Sequence, residues 1–248
     1  MKGYFKYYLL IVLIVCTLAA CNQDSDNVKL SDFLYDYAPV NTGHYVIYDV
    51  DSIAYNFVSP FQNVDTVHYQ IKEVVQDTFY DNLGKMSYRL EEYKRSDSTT
   101  VFNAIDPNAW YSYLSKNTYE KVEFDFRFIK LVFPPIIGTT WKGNQYLPTS
   151  DTISDVYQIY AGWDYTYTAV NIPTTINGLH FDSTLVATGV NRENKVDKKL
   201  SRETYARHIG LIYKEWEILN KQDVNSSWDA PNQVNGFRIR MRVNSYHL

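Results

Sequence analysis

The stretch "GFRIRMRV", residues 236–243, sets Phe237, Ile239, Met241 and Val243 against Arg238, Arg240 and Arg242. A period of two puts the apolar side chains on one face and the guanidinium groups on the other. That is the pattern of an antiparallel strand with one covered face. The alternation recurs upstream. "HYQIKEV" (68–74) places Tyr69 and Ile71 opposite His68, Gln70 and Lys72. "KVEFDFRFIK" (121–130) reads as one strand, with Val122, Phe124, Phe126 and Phe128 opposed by Glu123, Asp125 and Arg127. Between such runs lie turn signals, of which Asn177-Gly178 is the strongest because a two-residue hairpin turn needs positive φ at both positions. Roughly nine to eleven strands are expected between residues 44 and 244. The fold class is therefore all-β: a single curved antiparallel sheet forming a half-open barrel or sandwich, with one or two short helices. The helix candidates are "LSDFLYDY" (30–37), capped by Ser31, and "SRETYARH" (201–208), capped by Ser201 with Glu203 in its first turn.

The N-terminus carries Lys2 and Lys6 ahead of an apolar run over residues 7–20. That run is shorter than the roughly 20 residues of a membrane span, so it reads as a signal sequence. Leu18-Ala19-Ala20-Cys21 resembles the lipobox of bacterial lipoproteins, which implies cleavage before Cys21 and acylation of Cys21 itself. More than one acyl chain is needed for a stable anchor. The expected organisation is a signal peptide over 1–20, a lipidated polar tether over 21–30 and one β domain over 31–248. Acidic residues after Cys21 resemble the surface-export signals of Bacteroidetes lipoproteins. An outer-membrane lipoprotein is expected, facing either the periplasm or the cell exterior.

Cys16 is the only other cysteine. The mature chain then has no disulfide, no cysteine-ligated metal and no thiol nucleophile. Taking the first twenty residues from 248 leaves 228, enough for one large β domain. Without Lys2 and Lys6, 22 basic side chains face 28 acidic ones, a net charge of −6. On that balance nucleic acid is not expected as a partner, and anionic lipid would be repelled.

"TGHYVIYDVDSI" (42–53), "FIKLVFPPIIGTTWKGNQY" (128–146) and "ETYARHIGLIYKEWEIL" (203–219) together resemble an uncharacterised family of Bacteroidetes lipoproteins. Families of this style resemble the incomplete antiparallel barrel of periplasmic lipoprotein carriers, the LolA/LolB-like fold. The resemblance implies a curved sheet and assigns no catalytic residue.

The chemistry-bearing residues are scattered. The five histidines include no pair at metal-ligand spacing, and His180 with Asp182 falls short of the three or four ligands that zinc needs. Glu215 and Glu217 flank Trp216, a spacing within reach of a glycosidase pair, yet both sit on one strand with no cleft implied. No nucleophile elbow or phosphate-cradling glycine loop occurs. No catalytic residue, metal or cofactor is assigned. Arg238, Arg240 and Arg242 have the chemistry to bind an anion such as a carboxylate or phosphate, but the ladder is expected instead to blunt an outer strand or to pair with acids on neighbouring strands. In "HIGLIYKEWEIL" (208–219), Trp216 and Ile218 are expected to face inward and Glu215 and Glu217 to face solvent. Gly210 is expected at a bulge or a close backbone approach.

Trp141 and Trp216 are the candidate ligand contacts. Asp followed by Ser or Thr and then a small or aliphatic residue occurs five times, where composition predicts about one. This resembles the O-glycosylation sequon of Bacteroidetes envelope proteins and marks Ser52, Thr66, Ser98, Thr152 and Ser183. The functional expectation is a lipid-anchored, non-catalytic binding or interaction module for a glycan, a protein or an apolar ligand. The alternatives are a carrier-like protein holding an apolar ligand and, third, a glycan hydrolase.

Overall fold

The computed structural model describes residues 33–58, 61–105, 110–149, 155–230 and 233–248. Cys21 and Thr152 lie outside them. Phe33–Leu248 form one compact unit. Its strands, in chain order, are β1 (Tyr45–Val58), β2 (Phe61–Tyr80), β3 (Met86–Arg95), β4 (Asn103–Ala104), β5 (Trp110–Leu114), β6 (Thr118–Glu123) and β7 (Phe126–Val132). They continue with β8 (Thr140–Trp141), β9 (Tyr165–Ile176), β10 (Leu179–Glu193), β11 (Asp197–Ala206), β12 (Gly210–Lys221) and β13 (Val234–His247). A 3₁₀ turn over Tyr35–Tyr37 and a short helix α1 (Asp155–Gln158) complete the elements among the described residues.

All pairings are antiparallel, in the order β7-β6-β5-β3-β2-β1-β13-β12-β11-β10-β9-β8, with β4 beside β3. The sheet curls until its two ends nearly meet. At that seam the Trp141 indole N–H donates to the Ile129 carbonyl (2.9 Å), and the Ile129 N–H donates to the Gly143 carbonyl (2.7 Å). The Tyr167 hydroxyl donates to the Val132 carbonyl and accepts from its N–H, both at 2.8 Å. Gly143 is required there: a Cβ at this position would sit 2.5 Å from the Tyr165 ring. The result is a nearly closed barrel in which the backbone groups of Ile129 and Val132 on the edge strand find partners across the seam.

Directly paired residues share a face. β12 and β13 place Lys214 with Met241, Trp216 with Ile239 and Ile218 with Phe237 toward the interior, and Glu215 with Arg240 and Glu217 with Arg238 toward the exterior. The one-sided reading of 236–243 and the inward direction of Trp216 hold. Tyr69 and Ile71 likewise share the interior face with Val50 and Tyr48.

Four local expectations are corrected. "KVEFDFRFIK" is a hairpin rather than one strand. Phe124 and Asp125 take left-handed backbone conformations (φ 50° and 66°) and form a two-residue turn between Glu123 and Phe126. Strict alternation hid the turn because neither residue is glycine. "SRETYARH" lies mostly in β11, where pairing on both sides outweighs its capping signal. β13 lies between β1 and β12 rather than at the outside of the sheet, so the arginines blunt no edge, while the pairing with neighbouring acids expected as the alternative is present. Glu215 and Glu217 point outward but are only 6% and 2% exposed, because those arginines cover them. Gly210 has φ 86° and its missing Cβ faces Pro39 at 3.3 Å, so the close approach expected there is present.

Residues 33–44 run across one mouth of the barrel. Tyr35 packs edge-on against Phe133, Asp36 pairs with Arg207 (2.6 Å) and the Gly43 N–H donates to the Val75 carbonyl (2.8 Å). Tyr37 is completely buried beneath this segment.

Candidate functional site

The interior is not apolar throughout. Lys121 contacts Glu73 (2.5 Å) and Glu123 (3.4 Å), and Lys130 contacts Glu203 (3.0 Å) and Glu123 (3.2 Å). Lys214 approaches Glu203 (3.6 Å) and Glu123 (4.0 Å). These groups come from β2, β6, β7, β11 and β12, so the network braces the two halves of the curled sheet against each other. Lys130 reaches it through a bulge. Tyr119 pairs with Leu131 and Glu120 with Ile129, which leaves Lys130 as the extra residue of β7. Bulges re-aim side chains in this way.

Burial alone would lower the Lys130 pKa, but Glu123 and Glu203 raise it above the ordinary lysine value. Burial pushes Glu123 upward, yet Lys130, Lys214 and Lys121 hold it well below the usual carboxylate range. Glu92 is the exception. Burial, together with the adjacent Glu73 carboxylate, pushes it up to about 8. With Glu92 protonated at neutral pH, Glu73, Glu123 and Glu203 balance the three lysines. Such a network, if left half-satisfied, is costlier than an apolar core.

Glu92 makes a signed pH prediction. Between the ordinary carboxylate pKa and about 8 the folded state holds a proton that the unfolded state has lost. Stability therefore falls as pH rises through that window, by about 1.4 kcal/mol per unit. Glu92→Gln should remove this decline, so the variant gains on the parent protein from about pH 5 to pH 8. Urea unfolding across that range checks it, and parallel curves for the two proteins would contradict it.

Two small hollows adjoin the network. One, of about 40 Å³, lies under the mouth segment beside Tyr48 and Tyr119. The other, of about 30 Å³, is walled by Phe128, Tyr160, Trp163 and Trp216.

The exterior face carries a larger feature. Three register breaks bend the β9–β10 hairpin, and Asn177 at its tip donates to Asp49 (2.9 Å) and to the Val243 carbonyl (3.3 Å). Since β10 to β13 separate β9 from β1, the hairpin must fold back over the sheet. Beneath it lies an open groove of about 840 Å³. Its floor includes Thr166, Thr188, Thr204 and Tyr213, and its overhang includes Thr174 and Thr175. "YTYT" (165–168) points tyrosines inward and threonines into this groove, which is the one trace of it in the sequence.

Arg202 and Arg242 border the groove, but both have acidic partners, Arg202 with Glu215 (2.6 Å) and Arg242 with Asp51. Glu215 also accepts from Arg240 (3.0 Å), and Glu217 pairs with Arg238 (2.7 Å) and Lys198 (3.2 Å). The groove is lined by hydroxyl, amide and guanidinium groups together with apolar Ile176, Val186 and Val190, and its one carboxylate, Asp164, pairs with Lys142, so its charges are matched.

The residues singled out in the sequence do not converge. Trp141 packs at a tilt against Tyr165 and Tyr167 at the seam, and Trp216 packs inside against Phe237 and Tyr160. Neither forms part of the exterior groove. Thr66 and Ser98 are exposed, and Ser52 is half-buried. Ser183 is engaged by Tyr37 (2.7 Å) and Asn171 (2.6 Å). His180 and Asp182 are 3.2 Å apart and exposed. Among the described residues, no three His, Cys, Asp or Glu side chains converge as a metal site.

No family model and no curated protein matches the chain. Among solved structures it is similar to a Bacteroides fragilis protein described as exported and as having a YmcC-like fold. That likeness has 7% identity and a TM-score of 0.39, covering 85% of this chain and 98% of that one. It is also similar to a protein of Parabacteroides distasonis described as a lipoprotein, with 9% identity, a TM-score of 0.38 and coverage of 85% and 98%.

Proposed function

We propose that this protein is a lipid-anchored, non-catalytic binding module of the cell envelope, and that it takes an uncharged polyhydroxyl ligand of the glycan type. The groove beneath the β9–β10 hairpin carries the reading. Its volume of about 840 Å³ suits a small oligosaccharide. Its threonine hydroxyls can donate and accept, Asn177 keeps its amide oxygen as an acceptor while its N–H groups hold the hairpin tip, and Tyr213 offers an aromatic surface. Matched charge along its border gives an anion no advantage. Anchoring rests on the lipobox-like run ending at Cys21.

The carrier alternative needs an apolar space of acyl-chain size. The interior hollows of about 40 and 30 Å³ abut charged side chains and do not favour it. A hydrolase would need two free carboxylates across a cleft, whereas Glu215 and Glu217 are both engaged by arginines.

The test is calorimetric titration of the soluble Cys21→Ala protein with neutral oligosaccharides. Thr168 is exposed and lines the groove, so Thr168→Arg should block the site without disturbing the fold. Binding at least about tenfold weaker in that variant is expected, a loss of about 1.4 kcal/mol. Saturable fatty-acid binding insensitive to Thr168→Arg, with no response to sugars, would replace this reading with the carrier.

A further inference from the structure

We infer that the rim around the N-terminal mouth segment rests in the interfacial layer of a lipid bilayer, an inference that builds on the proposed acylation of Cys21. Residues 131–141, "LVFPPIIGTTW", contain no charged side chain. Within them Ile136 and Ile137 are 60% and 62% exposed, although large aliphatic side chains gain most from leaving water. This loop adjoins the place where the folded domain begins. Phe33 stacks on Tyr35 (5.5 Å), Tyr35 packs against Phe133 (5.0 Å), and Phe133 leads directly into Pro134–Ile137. The Tyr35 hydroxyl also donates to the carbonyl of exposed Lys116 (2.7 Å). Across the segment, Tyr37 bonds Ser183, and Ser183 donates to Asn171, the neighbour of the 40% exposed Ile172. Exposed isoleucines thus flank the start of the domain on two sides.

The length of chain before Phe33 identifies what covers them. Cys21 precedes Phe33 by twelve residues, a reach of about 40 Å at full extension. An acylated Cys21 therefore holds this rim, and not the far end of the barrel, within about 40 Å of the bilayer, where a few inserted aliphatic side chains add to the anchor. The net charge of −6 makes the contact apolar rather than electrostatic, so a zwitterionic surface suffices.

The test uses the full lipidated protein in phosphatidylcholine vesicles containing nitroxide-labelled lipid. Cys16 and Cys21 are the only cysteines, one in the signal sequence and the other blocked by the acyl group, so an introduced thiol takes a fluorophore uniquely. Ile136→Cys and Ile137→Cys probe the rim at exposed positions. Val224→Cys probes the far end, since β12 runs from Gly210 beside Pro39 to Lys221, roughly 36 Å away. Rim labels should be quenched at least about threefold more than the label at 224, independently of salt. Equal quenching at all three positions in sedimented vesicles overturns the inference while leaving the anchor intact. Protein that stays in the supernatant overturns both.

Discussion

Lys130→Met is expected to destabilise the domain by about 3–5 kcal/mol, the range for breaking a buried ion pair by removing one partner. Lys130 is 6% exposed, and its ammonium joins Glu123 and Glu203 across the seam of the barrel. Methionine fills similar space but leaves both carboxylates short of a cation. Lys121 at 3.4 Å from Glu123 and Lys214 at 3.6 Å from Glu203 moderate the loss without cancelling it. Adding Glu203→Gln should recover part of it, because one uncompensated charge is then gone. Denaturant unfolding of both single variants and the double variant measures the coupling. Additive losses would mean that the Lys130–Glu203 contact carries no energy of its own.

Trp216→Ala is expected to cost about 3 kcal/mol as an aromatic truncation inside the barrel. The indole meets Phe237 edge-on at 4.7 Å and Tyr160 at 6.1 Å, and it walls the inner hollow beside Lys214. Glycan binding in the exterior groove should survive at temperatures where the variant is folded, because Trp216 faces away from it. A stable Trp216→Ala protein that has lost binding would move the site to the interior. The flanking acids also matter more than their alternation suggests. Glu217→Gln should be clearly destabilising, since Arg238, Arg240 and Lys198 all converge on that carboxylate.

The general architecture was legible because period-two alternation is a local property. Phe237 to Val243 had to place arginines on one face and apolar groups on the other in any pleated sheet. Asn177-Gly178 had to turn, and it does, with φ values of 53° and 82°. Alternation alone gives fewer strands than the thirteen among the described residues, partly because Phe124-Asp125 turns without a glycine. The local cap at Ser201 favours a helix over 201–208, and only the ladders that β10 and β12 supply override it.

The site was far less legible. Alternation tells which residues share a face but not which face is covered, nor by what. Glu215 and Glu217 lie on the exterior as expected, yet distant arginines bury them. Lys121, Glu123 and Lys130 look like ordinary solvated charges in sequence, but a hairpin and a bulge turn them into the interior. The groove depends on a hairpin folding back over β11, β12 and β13, and only the inward tyrosines and outward threonines of 165–168 hint at it. By itself, the sequence determined an antiparallel sheet, its turn at 177–178 and a lipobox-like run before the domain, since each depends on residues close together in the chain. Closure of the seam, the buried charge network and the groove were decided by tertiary structure alone. They depend on contacts between residues tens to hundreds of positions apart, where curvature and register determine which charges meet and which surfaces stay open.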